Sequence, residues 1–122
     1  MCLNTDNIDQ VPYNKSRTRW KVLMTVSTTH LLESPVVDMF WTIGKTYYAE
    51  CKERYAYIED VGFHVMITRD EARELAAHWN EVDSTRRHVV VKIEVSDFVA
   101  AGMFCDWRTE TWTTCKVVEI AR

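Results

Sequence analysis

From Arg19 to Thr28 the residues Trp20, Val22, Met24 and Val26 alternate with Lys21, Thr25 and Ser27, with Leu23 the exception. A period of two predicts a half-buried strand. Val89, Val91, Ile93 and Val95 alternate with Lys92 and Glu94, and the apolar Val90 adds cover on the second face. Trp112 to Ile120, with Thr113-Thr114 and Val117-Val118, has the β-branched content of a closing strand. Two short strand pieces are expected within Met39 to Tyr48, around Gly44-Lys45, where Phe40, Trp41, Ile43, Tyr47 and Tyr48 supply aromatic and branched side chains. In Val61 to Thr68, Phe63, Val65 and Ile67 share one face of a short strand and His64 and Met66 the other. Gly62 at its entry signals a positive φ or the close approach of another segment.

That strand runs into the best-marked helix of the chain. Thr68-Arg69-Asp70-Glu71 has the form of a capping box, with the Thr68 hydroxyl accepting from the Glu71 N–H and the Glu71 carboxylate reaching back to the N–H of Thr68. Asp70, Glu71 and Glu74 place negative charge at the positive end of the helix dipole. Ala72, Leu75, Ala76 and Trp79 fall at i, i+3, i+4 and i+7, so a helix over 69–80 should pack one stripe on a sheet, with Trp79 as its large end anchor. Glu50 to Asp60 shows no clean period, Phe98 to Gly102 reads as a short extended or turning piece, and Met103 to Thr111 reads as a loop. The sum is an α+β domain, a mostly antiparallel sheet of five or six strands with one main helix on one face. Residues 1–14 form a loosely held arm and 15–122 a single domain.

Composition adds setting more than chemistry. A chain of 122 residues can bury roughly two thirds of the surface its unfolded form exposes, so no covalent staple is needed. Fifteen basic against eighteen acidic residues give a net charge of -3, which argues against a broad grip on phosphate backbones. Nucleic acid is therefore not the expected partner. The basic cluster Lys15, Arg17, Arg19 and Lys21 reads as the solvated side of the first strand, and Arg86-Arg87 as a loop pair. No opening segment has the form of a secretion signal, and no run has the roughly 18 apolar residues of a membrane span. Cytoplasmic placement and reduced cysteines are expected, with Cys51 and Cys115 packing as small apolar residues.

Specific chemistry is sparse. Cys2, Cys51, Cys105 and Cys115 lack the close pairing of zinc ligands, so no metal or cofactor is assigned. Gly44, Gly62 and Gly102 are too widely spaced for a phosphate-cradling loop. A binding protein is favoured over an enzyme, and no catalytic residue is assigned. His64 and Tyr47 are the candidate lining of a small-ligand pocket, with a structural strand histidine as the plainer reading of His64. The 103–111 stretch carries the candidate partner-binding residues Phe104, Asp106, Trp107, Arg108 and Glu110, because tryptophan and arginine are enriched at binding hot spots. The plainer reading folds Trp107 back onto the core.

The sequence Trp41-Thr42-Ile43-Gly44-Lys45-Thr46-Tyr47, then Gly62-Phe63-His64-Val65, Val89 to Val95 and Lys116-Val117-Val118-Glu119-Ile120 resembles a family of small domains carried by bacteriophages and other mobile elements. The likeness covers about residues 40–120. Where that pattern has a second aromatic or a cysteine after Gly-Phe-His, this chain has Met66-Ile67. The resemblance implies a phage setting and no particular chemistry. With it, the expected function is binding of a host protein or protein complex, blunting a defence such as CRISPR interference, with Glu33, Asp38, Asp106 and Glu110 competing for a basic groove. A homodimer is compatible with this reading. The alternative is a binder of a nucleotide-derived signal, or a small enzyme, with its pocket near His64 and Tyr47.

Overall fold

The computed structural model describes residues 17–25, 32–34, 40–49, 62–104 and 106–121. The 1–14 arm, the Glu50 to Asp60 segment, Cys2, Cys51, Cys105 and Asp38 lie outside the described residues. Most of the described chain is strand: β1 (Arg17–Thr25), β2 (Leu32–Glu33), β3 (Phe40–Trp41), β4 (Thr46–Tyr48), β5 (Phe63–Met66), then α1 (Arg69–Val82), β6 (His88–Phe104) and β7 (Trp107–Ile120).

The strands close on themselves. β1 pairs antiparallel with β6 from Arg17↔Val95 to Met24↔His88, and β6 pairs with β7 as a long hairpin. β7 then pairs with β5 from Phe63↔Trp112 to Met66↔Thr109, and β5 returns to β1 at Trp20↔Met66. The ring β1-β6-β7-β5 is a four-stranded barrel. The expected α+β fold, a mostly antiparallel sheet of five or six strands with one main helix on one face, is therefore wrong: the fold is small and β-rich, and its single described helix lies outside a closed wall. Closure removes two sheet edges and makes one face of each strand an interior.

Closure depends on bending two long strands. Register shifts at Lys92/Ile93 and Phe98/Ala100 interrupt the β6–β7 ladder, and between them Asp97 takes a positive φ of 61°. An extra residue in one strand raises its local twist and turns it around the barrel. The bend is held from β7: the Thr114 hydroxyl donates to Asp97 Oδ2 at 3.2 Å, and the Thr113 hydroxyl donates to the Asp97 carbonyl at 3.3 Å. Gly62 meets both needs foreseen for it. Its φ is +98°, and a Cβ there would lie 2.8 Å from the Trp112 carbonyl oxygen.

The remaining strands extend the wall at one end. β2 pairs with β1 and β3 with β2, while β4 continues the edge of β7 that β5 occupies further along. Leu23, Leu32, Trp41, Val65, Val91, Ile93, Val95, Trp112, Cys115 and Val117 fill the interior. A second cluster outside the wall sets Val22, Met66 and Val90 against Ala72, Leu75 and Ala76 of the helix. Both faces of β1 are thus covered, which explains why Leu23 breaks the alternation: the alternating apolar set faces the helix and Leu23 faces the interior.

The helix begins at its N-cap Thr68, whose hydroxyl oxygen accepts from the Glu71 N–H at 3.2 Å. The return bond differs from the expected one, because the Thr68 hydroxyl itself donates to Glu71 Oε1 at 2.9 Å. At the other end the Asp83 N–H donates to the Trp79 carbonyl at 2.9 Å. Trp79 is half-buried in the outer cluster and stacks on His88 with ring centres 6.0 Å apart. Among the described residues no helix is long and apolar enough to cross a membrane.

Candidate interaction surface

The 103–111 segment is not a loop. It is the tip of the β6–β7 hairpin, with Met103 opposite Arg108 and Phe104 opposite Trp107. Aperiodic sequence misled here because the exposed residues at the tip run into Thr109, Glu110 and Thr111, which are buried in succession, so no period of two appears. Trp107 is half-buried in the outer cluster and lies 5.3 Å from the His78 ring. Arg108, though exposed, forks onto Glu71, with Nε 3.1 Å from Oε2 and Nη2 2.5 Å from Oε1. That guanidinium holds the Glu71 carboxyl below its ordinary value. Asp106 is exposed. Glu110 is only 2% exposed and points into the barrel, so of the five candidate residues it has no surface to present. The tip is therefore bound back to the first turn of the helix.

Inside the wall a polar row runs through the apolar core. Glu110 Oε1 accepts from Arg19 Nε at 2.5 Å and from Trp112 Nε1 at 3.1 Å. The Arg19 guanidinium sits 5.9 Å from the centre of the Trp112 ring. Two residues along β1, Lys21 Nζ donates to the His64 carbonyl at 2.6 Å and lies 5.7 Å from the Trp41 ring centre. Loss of water around the ammonium lowers the Lys21 pKa, partly offset by Cys115, while burial pushes the Cys115 thiol up to about 11. A thiol so held is protonated at neutral pH and is a poor nucleophile.

Reading Arg19 and Lys21 as solvated is thus corrected. They share a face with Leu23, and that shared parity was the signal in the sequence that this face is the interior. The row binds the wall together: each charge has a carboxylate, a carbonyl or an aromatic face beside it.

Tyr47 and His64 do not meet. Tyr47 pairs with Cys115 and its ring packs 4.7 Å from Trp41 in the interior, whereas His64 alternates with the inward-facing Phe63 and Val65. They occupy opposite faces of the wall, and neither lines the groove at Trp20, Arg69 and Glu119 or the groove at Thr25, Arg87 and Val89. No group of three or more histidine, cysteine, aspartate or glutamate side chains suited to a metal ion occurs among those residues.

Three exposed apolar side chains cluster elsewhere. Phe40, Ile43 and Tyr48 are 50%, 45% and 75% exposed, all within the nine residues of β3, its turn and β4. The backbone beneath them is firmly held. The Thr42 N–H donates to the Tyr47 hydroxyl at 2.8 Å, the Lys45 N–H to the Thr42 carbonyl at 3.2 Å, and the Gly44 N–H to the Val117 carbonyl at 2.8 Å. Gly44 takes a φ of +89°, which a residue with a side chain adopts only with strain. Inward, Trp41 anchors the same segment: it is fully buried, its Nε1 donates to Ser34 Oγ at 2.7 Å, and Phe63 packs on it at 5.1 Å. Sequence reading placed these residues on strands but not on a surface, since alternation says which residues share a face and not which face is covered. No family model, curated protein or solved structure matches the chain.

Proposed function

We propose that this chain is a protein-binding domain whose recognition surface is the β3–β4 turn, with Phe40, Ile43 and Tyr48 as apolar contacts and Lys45 as the charged neighbour. One observation carries the reading: three large apolar side chains are held out to solvent on a short segment whose backbone is fixed to the barrel. A backbone in that condition loses little conformational freedom on docking, and aromatic residues dominate binding energy at interfaces. Exposed apolar groups clustered on one short segment mark contact surfaces more often than isolated ones do. The more specific form, a phage-borne protein acting on a host defence complex such as a CRISPR effector, rests on the sequence: its resemblance, its small size, slight acidity and aromatic excess, and the lack of a catalytic motif.

The experiment compares capture of host protein by the intact chain, by Phe40→Ser/Tyr48→Ser, and by Met103→Ser at the hairpin tip. A stoichiometric partner held by the first and third, with affinity reduced at least tenfold in the second, supports the proposal. Undiminished binding by the Phe40/Tyr48 variant, or the absence of any stoichiometric partner, overturns it.

A further inference from the structure

A second surface lies where the interior opens at the end of the barrel. Cross-strand neighbours share a face, so the pairs Leu23↔Val89 and Val91↔Ile120 place Val89 and Ile120 on the inward side at the start of β6 and the end of β7. Two residues on from Leu23, Thr25 has the same parity, and its N–H donates to the Arg87 carbonyl at 2.9 Å, which puts Arg87 in the same row. These residues, with Ala121, line a groove of about 480 Å³. That lies within the roughly 300–1,000 Å³ of small-molecule sites, and the mouths of barrels are among the places such sites occur.

Polarity narrows the occupant. The floor is the aliphatic surface of Val89, Ile120 and Ala121, and Ile120 remains 36% exposed. Among the described lining residues, Arg87 carries the one formal charge. Of the adjacent pair Arg86-Arg87, Arg86 lies on the outer face and pairs with Glu33 of β2, whereas Arg87 lines the groove and makes no ion pair among the described residues. A guanidinium at the edge of an apolar recess matches a carboxylate, which it can hold through two parallel hydrogen bonds.

The geometry points to the barrel mouth as a binding site for a small carboxylate with a compact aliphatic body, its carboxylate on Arg87 and its body on Val89 and Ile120. This site is separate from the β3–β4 surface, and either stands without the other. The alternation that places Val89 and Ile120 inward also explains why the site escaped sequence reading: Arg86-Arg87 reads as a plain loop pair until the strand register divides the two side chains between faces.

The test is a titration of the full chain, followed by amide and methyl NMR, with octanoate below its micellar concentration, and with octanol and octylammonium at the same chain length. The proposal expects saturable shifts at Thr25, Val89 and Ile120 with octanoate, and at least tenfold weaker binding of octanol and octylammonium. Arg87→Gln should weaken octanoate at least tenfold without changing the melting temperature, while Arg86→Gln leaves octanoate affinity within twofold. Equal binding of octanol and octanoate, undiminished binding by Arg87→Gln, shifts centred away from the mouth, or no saturable shift with octanoate would each overturn it.

Discussion

Arg19 and Glu110 stand 91 residues apart in sequence and meet inside the barrel, with Nε 2.5 Å from Oε1. One comes from β1 and the other from β7, strands that are both paired with β5 and β6 but not with each other. The ion pair therefore spans the interior rather than following the ladder. Removing one partner of a buried pair leaves an uncompensated charge and costs about 3–5 kcal/mol. Glu110→Ala should lower stability by that order in urea unfolding, and Arg19→Met/Glu110→Leu should recover most of it, since an apolar pair leaves no charge to solvate. A double variant as unstable as Glu110→Ala would mean the two side chains act independently.

Gly62→Ala should destabilise by more than ~1–2 kcal/mol, the cost of a left-handed conformation for a residue with a Cβ. The contact with the Trp112 carbonyl at 2.8 Å adds to it. Gly44→Ala is the control: its φ is similarly positive at +89° but a Cβ there meets nothing within 4 Å. Thermal unfolding should rank the two variants, with Gly62→Ala clearly the worse. Equal losses would show that backbone conformation alone sets the cost.

Acid should weaken the fold in two steps. Burial holds the His88 imidazole below its ordinary 6.5, so the unfolded chain takes up that proton first as the pH falls. Its contribution is complete above about 6.5 and is lost as the pH drops through the folded value. The residue is clamped against the helix: its backbone N–H donates to Asn80 Oδ1 at 2.7 Å, and the ring Nδ1 lies 3.1 Å from the same oxygen. Glu71, held below 4.5 chiefly by its hydrogen bonds from Arg108, behaves likewise at lower pH: its stabilisation is present above 4.5 and disappears on further acidification. Urea midpoints from pH 8 to 3 should fall in both windows, with His88→Gln flattening the upper and Arg108→Ala the lower. Midpoints constant between pH 7 and 5 would contradict the first step.

Substitutions on the β3–β4 surface should be silent for stability. Tyr48→Ser removes a side chain that is three-quarters exposed, and such changes usually stay within about 0.5 kcal/mol. Trp41→Ala, seven positions earlier and fully buried, should cost about 3–5 kcal/mol. Comparable losses for the two would place Tyr48 in the core.

Local signals carried further in this sequence than global ones. The helix start was legible because Thr68 and Glu71 are chemistry confined to one turn, and the stripe Ala72, Leu75 and Ala76 is indeed buried. The strand near Val89 to Val95 was legible by alternation. What could not be read was closure, which depends on a single backbone pairing, Trp20↔Met66, and on bulges around Asp97 that no periodicity announces. Once the wall closes, Arg19, Lys21 and Glu110 become interior residues although their types argue for solvent. The 103–111 stretch likewise looked irregular because Met103, Asp106 and Arg108 at its tip are exposed while Thr109, Glu110 and Thr111 are all buried, so no alternation runs through it.

The pairing of Trp20 with Met66 also decides which surfaces are inside, and so fixes both proposed sites. Backbone NOEs measured on the isotope-labelled chain test it directly. Cross-strand contacts between Trp20 and Met66, alongside those of β1–β6, β6–β7 and β7–β5, are the expected result. The three latter sets without any contact between β1 and β5 would mean an open sheet, and would contradict the barrel.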